Sequence, residues 1–220
     1  MYIYSLQEWL LFFYIYCFLG WCFESTYVSV RKGHWVNRGF MRAPFLPLYG
    51  SGAILMLIVG RTFADNVFLT YLVGLIAATL LEFFTGLGME WFYKIKYWDY
   101  SNQRCNFMGH ICLTSSIAWG FFTLLMTRVL HGPIEALVFR VPATVITVLV
   151  SALTIFLAWD FIVSFKAAME LKEMLIQMEK DNDNMQLREE IADMCESIQA
   201  VLTARYEVRI SSPRLPNVKG

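Results

Sequence analysis

The sequence predicts an all-α integral membrane protein of about five transmembrane helices, followed by a cytoplasmic helical hairpin or coiled coil. Three observations carry this. The chain is 57% hydrophobic and 16% charged, where soluble domains are about 45–50% apolar and about 25% charged. Its apolar runs approach or exceed the roughly 20 residues that cross a bilayer. Its cations gather in alternate connections, the pattern that sets membrane orientation. The 18 basic and 18 acidic residues balance, which rules little in or out because the charges are segregated along the chain; no nucleic-acid partner is expected.

The candidate spans are residues 6–28, 46–63, 67–93, 111–129 and 143–165, taken here as a transmembrane domain over 1–165. The first lacks a basic leader and a small-residue cleavage site, so it reads as a retained anchor. The second begins among Pro44, Pro47, Gly50 and Gly52, which cannot start an ordinary helix. That pattern predicts either a broken, re-entrant start packed on the bundle or a plain surface turn. The third is the longest apolar run yet contains Glu82. The fourth is short and polar at one end, and the fifth closes on Asp160, which reads as solvated or paired with Lys166.

All cations except Arg61, Arg128 and Arg140 then fall on one side of the membrane. This predicts a multi-pass protein of the cell membrane with its N-terminus outside and its C-terminus cytoplasmic. Trp9, Trp35, Trp91, Trp98 and Trp159 lie near run ends, where indoles favour the headgroup layer. The five cysteines show no paired CxxC spacing, and the three histidines are scattered, so no metal and no cofactor is expected.

A weak internal repeat is visible. Gly20-x-x-x-Glu24 recurs as Gly86-x-x-x-Glu90, and Arg38 and Arg104 follow at equal separations. Spans one and three would run in the same direction, giving two parallel hairpins with span five outside the repeat.

Candidate site residues are the intramembrane carboxylates and the polar groups near them. An ionised side chain at mid-bilayer costs about 2.5–3.5 kcal/mol on the lenient scale, so it normally faces a partner or cavity. Glu82, Gly86 and Glu90 share one helical stripe, with Glu82 roughly 12 Å deeper. Glu24 matches Glu90 in the other half. Arg38, Arg42, Asp99, Arg104 and Asn106 in the two loops, with Tyr49, could cradle an anionic headgroup or phosphate. Two readings stay open: a transport or ligand path opening to the cytoplasm, or polar contacts that lock helices together. No nucleophile–base pair accompanies the carboxylates, so catalysis is not expected.

After Phe165, Ala168, Leu171, Leu175 and Met178 form one apolar stripe, and Leu187, Ile191, Met194, Ile198 and Val201 form another. Both have coiled-coil spacing, so residues 166–210 are expected to assemble homo- or hetero-oligomers, chiefly through 166–205. Residues 211–220 are expected to be disordered.

Gly20-Trp21-x-x-Glu24, Asn37-Arg38-Gly39-Phe40, Pro44-Phe45-x-Pro47-x-Tyr49-Gly50-x-Gly52, Glu82, Trp98-Asp99-Tyr100-Ser101, Asn106-x-x-Gly109 and Trp119-Gly120 together resemble the ABC-transporter type IV permease family, also called CmpB. Ala43 and Leu46 depart from that family's loop pattern. The resemblance implies a transport subunit in contact with membrane lipids. With no Walker A motif here, it also implies a separate ATPase subunit. The alternatives are a scaffold that binds lipid headgroups and an intramembrane lipid-acting enzyme using Glu24, Glu82 and Asp99.

Overall fold

The computed structural model describes residues 4–93, 95–96, 98–180 and 209–210. The fold is all-α, apart from a two-residue antiparallel pairing of Ile95–Lys96 with Arg209–Ile210. The helices are α1 (Leu6–Lys32), α2 (Pro47–Thr62), α3 (Val67–Tyr93), α4 (Leu113–Leu125), α5 (His131–Val138) and α6 (Ala143–Lys180). A π-helical turn, Met126–Leu130, joins α4 to α5 into one rod. The expected coiled-coil stripe beyond Lys180 and the 211–220 tail lie outside the described residues.

Local chemistry explains the helix ends. Ser5 caps α1 in a reciprocal box with Glu8, and Gly33 ends it in the left-handed region at φ 72°. Cys112 and Ser115 form the matching box at the start of α4. The π turn falls just before Gly132-Pro133, where Pro133 has no N–H to give the Val129 carbonyl. Instead, the His131 N–H reaches back five residues to the Met126 carbonyl.

Four helical rods are long and apolar enough to cross a membrane: Leu6–Lys32, Val67–Tyr93, Leu113–Val138 and Ala143–Met174. The expected second span is the exception. At 16 residues, α2 rises only about 24 Å, short of a hydrocarbon core of about 30 Å. The missing length comes from irregular chain. The Val36 N–H donates to Ser29 Oγ (2.8 Å), Arg38 N–H to Ser25 Oγ (3.2 Å) and Leu46 N–H to the Cys17 carbonyl (3.0 Å). The segment 36–46 thus folds back along α1 before α2 begins, as the re-entrant reading expects, with Val36, Met41, Ala43 and Leu46 buried. At its far end α2 sets the Arg61 guanidinium 4.2 Å from the Tyr4 ring centre.

Two hairpins, α1–α2 and α3–α4, pack against each other through α2, and α6 crosses α1 and α3. Glycines permit the close approaches. A Cβ on Gly74 would sit 2.4 Å from Thr123 Oγ1, and one on Gly60 2.3 Å from Thr127 Cγ2. Span boundaries shift from the expected ones for physical reasons. The α4–α5 rod continues through Gly132-Pro133 to Val138, because the π turn absorbs the proline. α6 passes position 165 without a break, since residues 166–180 are good helix formers.

Candidate functional site

The polar interior is built on Glu82, which faces inward from α3 and is only 4% exposed. Its Oε2 accepts from Trp119 Nε1 of α4 at 2.9 Å, and its Oε1 from the Tyr100 hydroxyl at 3.1 Å. The Ser115 hydroxyl also bears on it. These groups are all neutral donors. Tyr100 comes from the connection between α3 and α4, which folds back along α3 just as the first connection folds back along α1. Burial, and then the adjacent Glu82, push the Tyr100 phenol far above its ordinary range.

Glu24 of α1 forms the other half. Its Oε2 accepts from the Tyr49 hydroxyl at 2.6 Å, and its Oε1 lies 3.3 Å from Arg38 Nη2. Tyr49 lies in the first turn of α2 because Gly20 leaves room for it: a Cβ there would fall 2.3 Å from Tyr49 Cβ. The rings of Tyr49 and Trp119 meet at 5.7 Å, centroid to centroid. One continuous chain therefore runs Arg38–Glu24–Tyr49–Trp119–Glu82–Tyr100, drawing on both hairpins and both folded-back connections.

The remaining candidates separate from this chain. Glu90 pairs with His110 Nε2 at 3.0 Å and Lys96 Nζ at 3.7 Å. His110 is buried against Gly86, and this burial holds its imidazole below the usual range although Glu90 pulls the other way. Asp99 Oδ1 accepts from the Ser101 N–H (2.9 Å) and hydroxyl (2.5 Å). Gly109, at φ 75°, leaves space beside them that a Cβ would close to 2.7 Å from Ser101 Oγ. Asn106 donates to the Ser101 and Gln103 carbonyls, so it staples the loop. Arg42 and Arg104 are exposed. The repeat-based match of Arg104 to Arg38 thus does not carry over to their surroundings.

One sequence reading needs correction. Asp160 is neither solvated nor turned to Lys166: it is 3% exposed and accepts from the Ala43 N–H at 3.1 Å. A helix that continues well past the apolar run places it inside the bundle. Trp98 is half-buried, donates to the His110 carbonyl at 2.8 Å and packs over Gly86. Trp35, Trp91 and Trp159 are exposed.

Sequence reasoning missed Trp119, Tyr100 and Ser115 as partners of Glu82, and missed a second polar cluster at the opposite end of the bundle. There the His131 ring nitrogens meet the Tyr4 hydroxyl (2.9 Å) and the Tyr16 hydroxyl (2.8 Å). Glu135 accepts from Tyr4, and Arg61 lies over the Tyr4 and Trp9 rings. The available signal was a histidine one turn before a glutamate beside Gly132-Pro133, within an otherwise apolar rod.

No curated protein and no solved structure matches the chain. A family model does, over residues 11–165, and the matched range contains every member of the Arg38-to-Tyr100 chain. Its description is "Putative ABC-transporter type IV", and this multi-pass, helical chain belongs to that family.

Proposed function

We propose that the chain is the membrane-embedded permease subunit of an ABC-type transporter, with ATP hydrolysed by a separate subunit. The observation that carries this reading is the meeting of Glu24 and Glu82 across Tyr49 and Trp119. Carboxylates from two different hairpins, one half-buried and one buried, are joined through a single aromatic contact, where rearrangement of either hairpin changes both. Buried ionisable groups within a bundle commonly mark substrate or ion routes. The folded-back segments 36–46 and 98–112 cover this chain at the end where most cations lie, which we take as the cytoplasmic side.

In this reading Glu24, Glu82, Tyr49 and Arg38 line the path. Glu90, Asp99 and Asn106 hold the second covering loop, and Arg42 and Arg104 face lipid headgroups. The helix beyond the bundle serves assembly. Purification in mild detergent, with mass spectrometry of proteins and retained lipids, tests the reading. A stoichiometric ATPase in the eluate supports it. A chain that elutes alone with one lipid class would instead favour headgroup binding at the same face.

A further inference from the structure

α6 links the site to the cytoplasmic side. It is one uninterrupted helix from Ala143 to Lys180, and the twenty residues after Asp160 rise about 30 Å. Asp160 is buried, and its Oδ2 holds the Ala43 N–H at 3.1 Å. Ala43 lies three residues before Leu46, whose N–H is bound to the Cys17 carbonyl, and six before Tyr49, the hydroxyl donor to Glu24. Aromatic contacts reinforce the grip, with Phe40 5.4 Å from both Phe161 and Tyr93 and Tyr93 5.6 Å from Phe165. A shift of α6 therefore reaches Tyr49 through a short stretch, buried at Ala43 and Leu46, that has no regular hydrogen-bond ladder before α2 to absorb it.

Ser164 lies one turn along from Asp160. It is 5% exposed, and its hydroxyl has no hydrogen-bond partner among the described residues. A buried hydroxyl left unmet is costly, and such groups ask for an explanation. A one-turn displacement of α6 would carry this hydroxyl to where Asp160 now meets the backbone, and one-turn ratchets are a known form of switching.

We propose that α6 is the element through which the cytoplasmic side sets the Glu24 half of the site, that Asp160 is its positioning residue, and that Ser164 marks its second station. The proposal rests on the permease reading for what the site does, but its test does not. Cys17 reports the grip, because it is 1% exposed and a Cβ on Gly50 would lie 2.3 Å from its Sγ. Cys112, 3% exposed in the other hairpin, is the internal control.

The full chain in detergent is labelled with N-ethylmaleimide and read by site-resolved mass spectrometry. Asp160→Leu should label Cys17 about tenfold faster than wild type, through local opening of segment 36–46, while Cys112 changes less than about twofold. Asp160→Asn keeps an acceptor oxygen for Ala43 and should stay within about threefold of wild type. The exchange variant Asp160→Leu with Ser164→Asp, which moves the carboxylate one turn and leaves no acceptor at position 160, should protect Cys17 to within about threefold.

A protected Cys17 in a natively eluting Asp160→Leu protein overturns the positioning role. So does a joint rise of Cys17 and Cys112, or loss of protection in Asp160→Asn. An exchange variant that labels like Asp160→Leu overturns the second station. Absence of an ATPase partner, with the Cys17 response intact, would remove the permease reading and leave the α6 linkage standing.

Discussion

The two hairpins hold their inward carboxylates by opposite means. Glu24 keeps a cation 3.3 Å away, and both members of that pair retain some solvent, with side chains 22% and 17% exposed. Glu82 sits deeper and is held by neutral donors, Trp119 and Tyr100 with Ser115 beside them. A partly wet ion pair is worth little and breaks easily. A dry carboxylate fixed by neutral donors is expensive to disturb, because each orphaned donor costs about 1–3 kcal/mol. The Glu24 half is thus the adjustable side of the chain, and the Glu82 half is the fixed one.

The strongest attempt to break this contrast removes the fixed carboxylate. Glu82→Leu strands Trp119 and Tyr100 together, so folded yield after detergent extraction should fall at least about tenfold. Glu24→Leu, with Arg38 able to reach water, should lose less than about threefold. Equal losses, read by fluorescence-detected size exclusion, would erase the distinction.

Packing supplies the next test. Gly74→Ala drives a methyl into Thr123, and Gly50→Ala drives one into Cys17 and Phe13. Overpacking of this kind costs about 1–3 kcal/mol, so both should lower the melting temperature. Gly88→Ala meets nothing within 4 Å and should not. A Gly50→Ala protein as stable as wild type would mean that the first hairpin yields more readily than its contacts suggest.

A smaller change sharpens the Glu24 side. Arg38→Ala removes a partly exposed partner, worth about 0–1 kcal/mol, and should leave stability nearly intact. In the proposed permease it should alter ATPase stimulation by any co-purified partner more than it alters the melting temperature. A large stability loss with unchanged stimulation would assign Arg38 to scaffolding.

The smallest effect expected is a pH dependence confined to the second covering loop. Burial lowers the His110 pKa in the folded chain, against the pull of Glu90 and Asp99 and with a contribution from Lys96. The folded state therefore favours neutral His110. Its stabilising share is complete above the ordinary value of about 6.5 and is lost as pH falls through the lower folded value. Proteolysis within the second covering loop should accelerate below about pH 6.5 in wild type. The added acceleration should vanish in His110→Gln, and an identical pH response in that variant would exclude this histidine.

Much of this was legible in the chain. The 67–93 run was read to its ends because nothing within it competes with a helix, and Glu82 stood out against it. The prolines at 44 and 47 announced irregular chain at the start of α2. What stayed hidden depends on folded-back connections. Tyr100 and Trp119 lie 18 and 37 residues from Glu82 in sequence, and no periodicity pairs them with it. Trp119 is also counted among the hydrophobic residues, which conceals its N–H. Asp160 was misplaced because the end of an apolar run is a poor guide to where a longer helix leaves its bundle.

The π turn at Met126–Leu130 has a consequence for chain length. A π turn amounts to one residue more than an α-helix would use over the same rise. Deleting a single residue there would restore an α-turn of the same rise and leave His131 and Glu135 facing Tyr4 and Tyr16. It would also draw Pro133 into regular helix, where its ring meets the carbonyl four residues back. The rod can therefore gain or lose one residue at that point without re-aiming the side chains beyond it, and homologues that lack Pro133 should also lack the extra residue.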